Sequence, residues 1–388
     1  MSTKTLKAEA WALYDAIVAR ASSPDYTNPW HRTRDGKLEY LPDFGILRRL
    51  LGVPLLLEAT SQSGVPALAL DVWTAYELRR AGFTPDLVWP RAEPPRILPS
   101  TLVALRELAT VKQRKVLDEM LATGKTYKNE TGASANILGK NYVKQVDVVM
   151  SAWNTGPEIM ISTKRMDSSF GKNAANRVEE SYGDAKNLRS RHPQAALGFV
   201  YGLRSTALSE SNLATAEWII DLLGKLGRED DAYDSVALII PEWPEAEPPV
   251  DDQEDDENPL IAAGLEESPE GEDEQLPLEL PTEVLARRLE SLPEVRLRMD
   301  AVPRALSPGV FFATMVNRVL GNCPITFHRE ARRRRDSAMS APLEPESAED
   351  APLPPSPDLG FAEAEIRVTG QEARHATHMS DAPDGEDG

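Results

Sequence analysis

Asp147 and Lys164 are the two residues whose chemistry and setting stand out, because each lies near the end of a short apolar segment. A carboxylate is a hard oxygen ligand of the kind Mg²⁺ takes while keeping several waters. A nearby ammonium can hold the attacking water or a phosphate oxygen. The metal lowers the pKa of its bound water and clamps the scissile phosphate. An acid, an amine and a divalent cation are therefore the parts of a phosphodiester-hydrolysing centre.

The flanking elements must bring the two together. Residues 143–150 read as a buried strand, Asn154, Thr155, Gly156 and Pro157 as a break, and residues 158–164 as a second strand. Side chains alternate faces along a strand. Ile159, Ile161 and Thr163 then share one face, and Glu158, Met160, Ser162 and Lys164 the other. Paired as a hairpin, the strands set Asp147 beside Ser162 and Lys164. A polar helix follows with Asn176, Arg177, Glu179 and Glu180. The same residues also fit an ordinary α/β strand pair, followed by a helix whose Glu179 and Glu180 face solvent.

This order resembles the PD-(D/E)xK nuclease superfamily, the fold of most type II restriction enzymes, whose pattern is an acid, a hairpin, then acid-x-Lys. Here the second acid is replaced, and the motif reads Ser162-Thr163-Lys164. Some members carry Ser-x-Lys, with the missing carboxylate moved to the following helix. The resemblance implies Asp147, Ser162, Lys164, Glu179 and Glu180 as catalytic residues. Asp147 with Glu179 or Glu180 would ligate Mg²⁺, Glu179 first. The implied activity is Mg²⁺-dependent endonuclease cleavage of DNA, of restriction or phage-defence type. The alternative is a catalytically inactive DNA-binding or assembly protein on the same fold. The expected partners are double-stranded DNA and further copies of the chain, as a homodimer or higher homo-oligomer.

The expected fold class is α/β: a mixed-sheet, restriction-endonuclease-like core flanked by helices, with a mostly helical N-terminal region and disordered acidic segments. The divisions are residues 1–98 for the helical region and 99–241 for the core. Residues 242–281 form an acidic insertion, 282–335 C-terminal helices packing on the core, and 336–388 an acidic tail. Within residues 1–98, helical spacing predicts a first helix over 1–22, a second over 44–57 interrupted by Gly52 and Pro54, and a third over 65–80. Residues 100–121 read as one amphipathic helix, with Leu102, Leu105, Leu108, Val111, Val116 and Met120 as its stripe. Glu107 or Glu119 on it could add a carboxylate. Further elements are expected as a helix over 172–189, a strand over 195–203, a helix over 213–226 and a strand over 233–240. Ser307 and Pro308 suit the cap and first turn of a last apolar helix.

The net charge of −19 opposes DNA binding only if it is evenly spread. It is not. Residues 242–279 hold 16 acids and no Lys or Arg, and residues 337–388 hold 12 acids against Arg367 and Arg374. The remainder is net basic, and block acidity marks segments that do not fold. Arg79, Arg80, Arg91 and Arg96, the lysines at 125, 128, 140 and 144, and the run Arg332 to Arg335 are candidate phosphate contacts. Trp30, Trp73 and Trp89 are candidate core anchors or base-stacking groups. The single cysteine, Cys323, excludes an intrachain disulfide and fits a cytoplasmic location. No run is long enough for a membrane span, no Cys/His spacing suggests zinc, and no Walker or Rossmann glycine fingerprint is present.

Overall fold

The computed structural model describes residues 3–122, 135–168, 170–244 and 280–340. The chain is mixed α/β, built on a mixed five-stranded sheet in the order β3-β6-β7-β8-β9. β3 (Val88–Trp89) is an antiparallel edge strand on β6 (Val148–Ala152), and β6 forms an antiparallel hairpin with β7 (Gly156–Met166). β7 runs parallel to β8 (Ala196–Leu203), and β8 parallel to β9 (Ser235–Ile239). Parallel neighbours need crossovers. α6 (Phe170–Arg191) provides the first and α7 (Leu213–Leu226) the second.

The strand period of two divides the sheet's side chains between two cores. Val148, Met150, Ile159, Ile161, Ala196, Val200, Ala237 and Ile239 face one. Val149, Met160, Leu197, Phe199, Tyr201, Val236 and Leu238 face the other. The first face is covered by α3 (Val65–Arg80) and α9 (Pro308–Asn322), with α1 (Thr3–Ala21) and α2 (Phe44–Leu56) packed on α3 in the same core. The second lies under α6 and α7. Residues 65–98 thus supply both a covering helix and the edge strand of the sheet.

Several elements match the expected bounds. α3 and α7 do so residue for residue, and α9 opens on Ser307, whose hydroxyl accepts from the Val310 amide at 3.3 Å. α2 runs through Gly52 and Pro54, both buried, because packing outweighs the missing amide. Residues 100–121 form two helices, α4 (Ser100–Leu108) and α5 (Val111–Ala122), with Ala109 in extended backbone between them. Their stripe does not reach the core: Leu108 is 87% exposed and Val111 85%.

The other major departure is at residues 143–150, expected as one strand. β5 (Val143–Val146) pairs with β4 (Ala135–Leu138) in a separate two-stranded sheet, and β6 starts at Val148. Val146 faces the second core and Val148, two residues on, the first. Such a reversal breaks the period at Asp147, which forms a bend.

The last described helix packs on the N-terminal region. α10 (Arg329–Ser340) packs against β1 (Trp30–Arg32). Earlier in the chain, α8 (Thr282–Glu290) is joined to α1 by the Arg288–Glu9 ion pair. Most of both acidic segments, residues 245–279 and 341–388, lies outside the described residues; the tail expected from 336 is helical through Ser340. Among the described residues no helix is long and apolar enough to cross a membrane.

Candidate functional site

Thr163, in the middle of the Ser-x-Lys segment, ties the site together. Its backbone amide donates to Asp147 Oδ2 at 2.7 Å, and its hydroxyl donates to Asp71 Oδ1. The bend at Asp147 makes the first contact possible. With Val148 opposite Ile161 in the hairpin, Asp147 falls beside Ser162 at the junction of β5 and β6, and its carboxylate turns toward the β7 backbone. The second contact crosses from sheet to helix, since Thr163 points into the first core, where α3 lies.

Asp71 is 7% exposed on a helix that is buried almost throughout. Burial raises its pKa well above the usual carboxylate range, and the charge of Asp147 raises it further. The Thr163 hydroxyl and the Lys164 charge act in the opposite direction. Asp71, Asp147 and Lys164 therefore form one electrostatic group. Among the described residues, no hydrogen bond or ion pair holds the Lys164 ammonium, which is half-buried.

Of the five residues expected in the site, the structure groups Asp147 and Lys164, with Ser162 beside them. Ser162 is 8% exposed and its hydroxyl bonds the Tyr233 phenol, whose own proton goes to the Ser181 carbonyl at 3.0 Å. Burial raises the Tyr233 pKa, and the charges of Asp184 and Asp147 add to that. Glu179 and Glu180 are exposed on α6. The carboxylate that acts on Asp147 comes from α3, a helix the sequence had placed in a separate region. A signal for it was present: Asp71 interrupts the apolar run Leu68-Ala69-Leu70-Asp71-Val72-Trp73, and an acid inside a buried helix needs a partner.

Most of the arginines expected to contact phosphate are used within the protein. Arg80 pairs with Glu77 at 3.1 Å, Arg91 with Asp86 at 2.8 Å and Arg96 with Asp15 at 2.8 Å. Arg79 donates to the Pro90 carbonyl. These four side chains are buried, so they brace the turn between α3 and α4 rather than offering charge to a ligand. In the Arg332–Arg335 run, Arg334 is buried against Asp25 and Glu330, and Arg332 caps carbonyls at Leu320 and Cys323. Lys144 pairs with Asp184 at 2.9 Å, while Lys140 is exposed. Lys125 and Lys128 lie outside the described residues. Trp30 and Trp73 are buried core residues, not stacking platforms. Glu107 and Glu119 are exposed on α4 and α5.

No protein-family model, curated protein or solved structure matches this chain.

Two carboxylates are oxygen donors of the kind a hard divalent cation such as Mg²⁺ takes, whereas the Lys164 ammonium has no lone pair and is not a ligand. A buried pair of like charges is stabilised by a shared proton or by a cation.

Proposed function

We propose that the protein is a Mg²⁺-dependent DNA endonuclease of restriction or phage-defence type on a restriction-endonuclease-like core. The observation that carries this reading is the grouping of Asp71, Asp147 and Lys164 about Thr163. Asp71 and Asp147 would hold the ion, and the ion would supply an acidified water and charge neutralisation at the scissile phosphate. Thr163 fixes both carboxylates from one residue, so their separation is set by the strand and not by solvent. Lys164 places a positive charge at the same point, to orient a water or a phosphate oxygen. Glu179 and Glu180, exposed on the following helix, would meet the substrate from outside or add a ligand once it is bound. The expected substrate is double-stranded DNA. A homodimer is supported by the exposed apolar residues Leu105, Leu108, Val111, Val116 and Met120.

The test is incubation of the full chain with plasmid DNA and Mg²⁺. Loss of one preorganised charge-stabilising group costs about 10²-fold or more in rate, so Lys164→Ala should fall at least that far. Asp71→Asn and Asp147→Asn should abolish cleavage. Equal cleavage by Lys164→Ala would remove that residue from the mechanism. Full activity in Asp71→Asn, with loss in Glu179→Gln or Glu180→Gln, would return the second ligand to α6.

A second reading is favoured by the 7% exposure of Asp71 and by Ser162 standing where an acid is usual. It is a catalytically inactive DNA-binding or assembly protein on the same fold. It predicts DNA binding that is indifferent to Mg²⁺, with no nicking by wild type or any variant.

A further inference from the structure

At the far end of β7 from Lys164, three side chains of different chemistry converge. Glu158 Oε1 accepts from the Cys323 thiol at 2.9 Å and is 2.9 Å from His328 Nε2. The three donor atoms all lie within 4.8 Å of one another. Glu158 is 7% exposed and the His328 side chain 6%. The second Glu158 oxygen, Oε2, is buried without a hydrogen bond of good geometry; the Thr155 hydroxyl lies within interaction range of this carboxylate and donates to the Gly156 carbonyl, 3.2 Å away. A buried carboxylate oxygen without such a bond is costly and asks for a ligand.

The backbone also favours this arrangement. Cys323 ends α9, and His328 sits just before α10 with φ at +51°, a left-handed conformation uncommon for a residue other than glycine. The loop between the helices holds both side chains toward the start of β7. The Phe83 ring meets the imidazole edge-on at 5.1 Å, fixing its plane.

We infer that Glu158, Cys323 and His328 form a binding site for Zn²⁺ or a similar borderline divalent ion, which fastens the α9–α10 corner to the start of β7. Carboxylate, thiolate and imidazole are all zinc ligands, at roughly 2.0–2.3 Å. A tetrahedral ion with those bond lengths sets its ligand atoms about 3.3–3.6 Å apart. The present 2.9 Å spacings therefore need to open by well under ~1 Å. On binding, the thiol proton leaves to solvent and the thiolate takes its place on the metal. His328 binds through Nε2, with its remaining proton on Nδ1.

A cysteine nucleophile is the competing use of these residues, and the geometry opposes it. The thiol donates to a carboxylate, not to the imidazole.

The test uses the full chain with Zn²⁺ alone and with Co²⁺ alone. Competition with a chromophoric chelator should give one tight Zn²⁺ per chain. Co²⁺ should give thiolate-to-cobalt charge transfer and intense tetrahedral bands. Cys323 is the chain's one thiol, so Zn²⁺ should also slow its reaction with a disulfide reagent. Cys323→Ser should abolish the charge-transfer band, and Cys323→Ser and His328→Gln should each weaken Zn²⁺ binding more than ~10-fold, the lower end of losses at outer-shell positions. Circular dichroism of each variant separates misfolding from lost binding. If a variant unfolds, thiol protection and Co²⁺ spectra of the wild type still decide. Absence of the charge-transfer band in wild type, or undiminished Zn²⁺ binding in folded Cys323→Ser, would overturn the site.

Discussion

Asp71 concentrates the electrostatic tension of the molecule, and its titration gives a signed prediction. Its carboxyl is held above the usual range by burial and by Asp147, so the folded chain binds this proton more tightly than the unfolded chain does. Stability from this group is therefore full below the unfolded value of about 3.9 and is lost as pH rises toward the folded value. Wild type should lose urea midpoint across that window relative to Asp71→Asn, which cannot ionise there. Mg²⁺ should recover part of the loss in wild type alone. Parallel pH profiles for the two proteins would remove Asp71 as a strained acid. The Ser162 hydroxyl has a different role: it serves Tyr233, and its place in the motif is a packing contact as well as a vacancy for an acid.

At the scale of elements, β8 and α9 fit closely. A Cβ on Gly198 would lie 2.7 Å from the Phe311 ring and 3.0 Å from Met315. Gly198→Ala should overpack that layer and destabilise by ~1–3 kcal/mol, measured as a lower urea midpoint with an unchanged slope. The α4–α5 pair behaves in the opposite way. Its apolar stripe is exposed, so Leu108→Glu with Val111→Glu should alter stability by no more than ~0.5 kcal/mol. If these helices form the self-association face, sedimentation of that double variant should show a monomer. An unchanged size distribution would place any homodimer contact elsewhere.

For the whole molecule, the decisive contact joins α10 to the segment after α1. The Arg334 side chain, 8% exposed, donates to Asp25, Glu330 and the carbonyls of Tyr26 and Arg80. Arg334→Ala would strand those carbonyls and leave Glu330 with Arg333 alone. Asp25 and Glu330 are both solvent-exposed, so the loss comes from the stranded carbonyls, at about 1–3 kcal/mol, read as a lower urea midpoint. Because α10 packs on β1 and α3, hydrogen exchange should quicken in all three, not only locally. Exchange confined to α10 would mean that the C-terminal helix is an appendage.

What the linear chain determined is what depends on local period and local chemistry. The 3.6-residue repeat of 65–80 and 213–226, the Ser307–Pro308 cap, and the hairpin of β6 and β7 were all readable because each is fixed by neighbours in sequence. Asp147 and Lys164 stand out from that same local pattern, and the hairpin register sets Asp147 opposite Ser162. Asp71 was not readable as their partner, since it lies 92 residues from Thr163 and meets it only because α3 covers the first face of the sheet. Glu158, Cys323 and His328 likewise converge through a strand start and a helix corner more than 160 residues apart. Charge and apolarity can be counted along a chain, but their use depends on desolvation. Arg79, Arg80, Arg91 and Arg96 look like ligand contacts until burial pairs them inside, and the stripe of α4 and α5 looks like core until packing leaves it outside. Both outcomes are set by what lies across the fold, which no local pattern records.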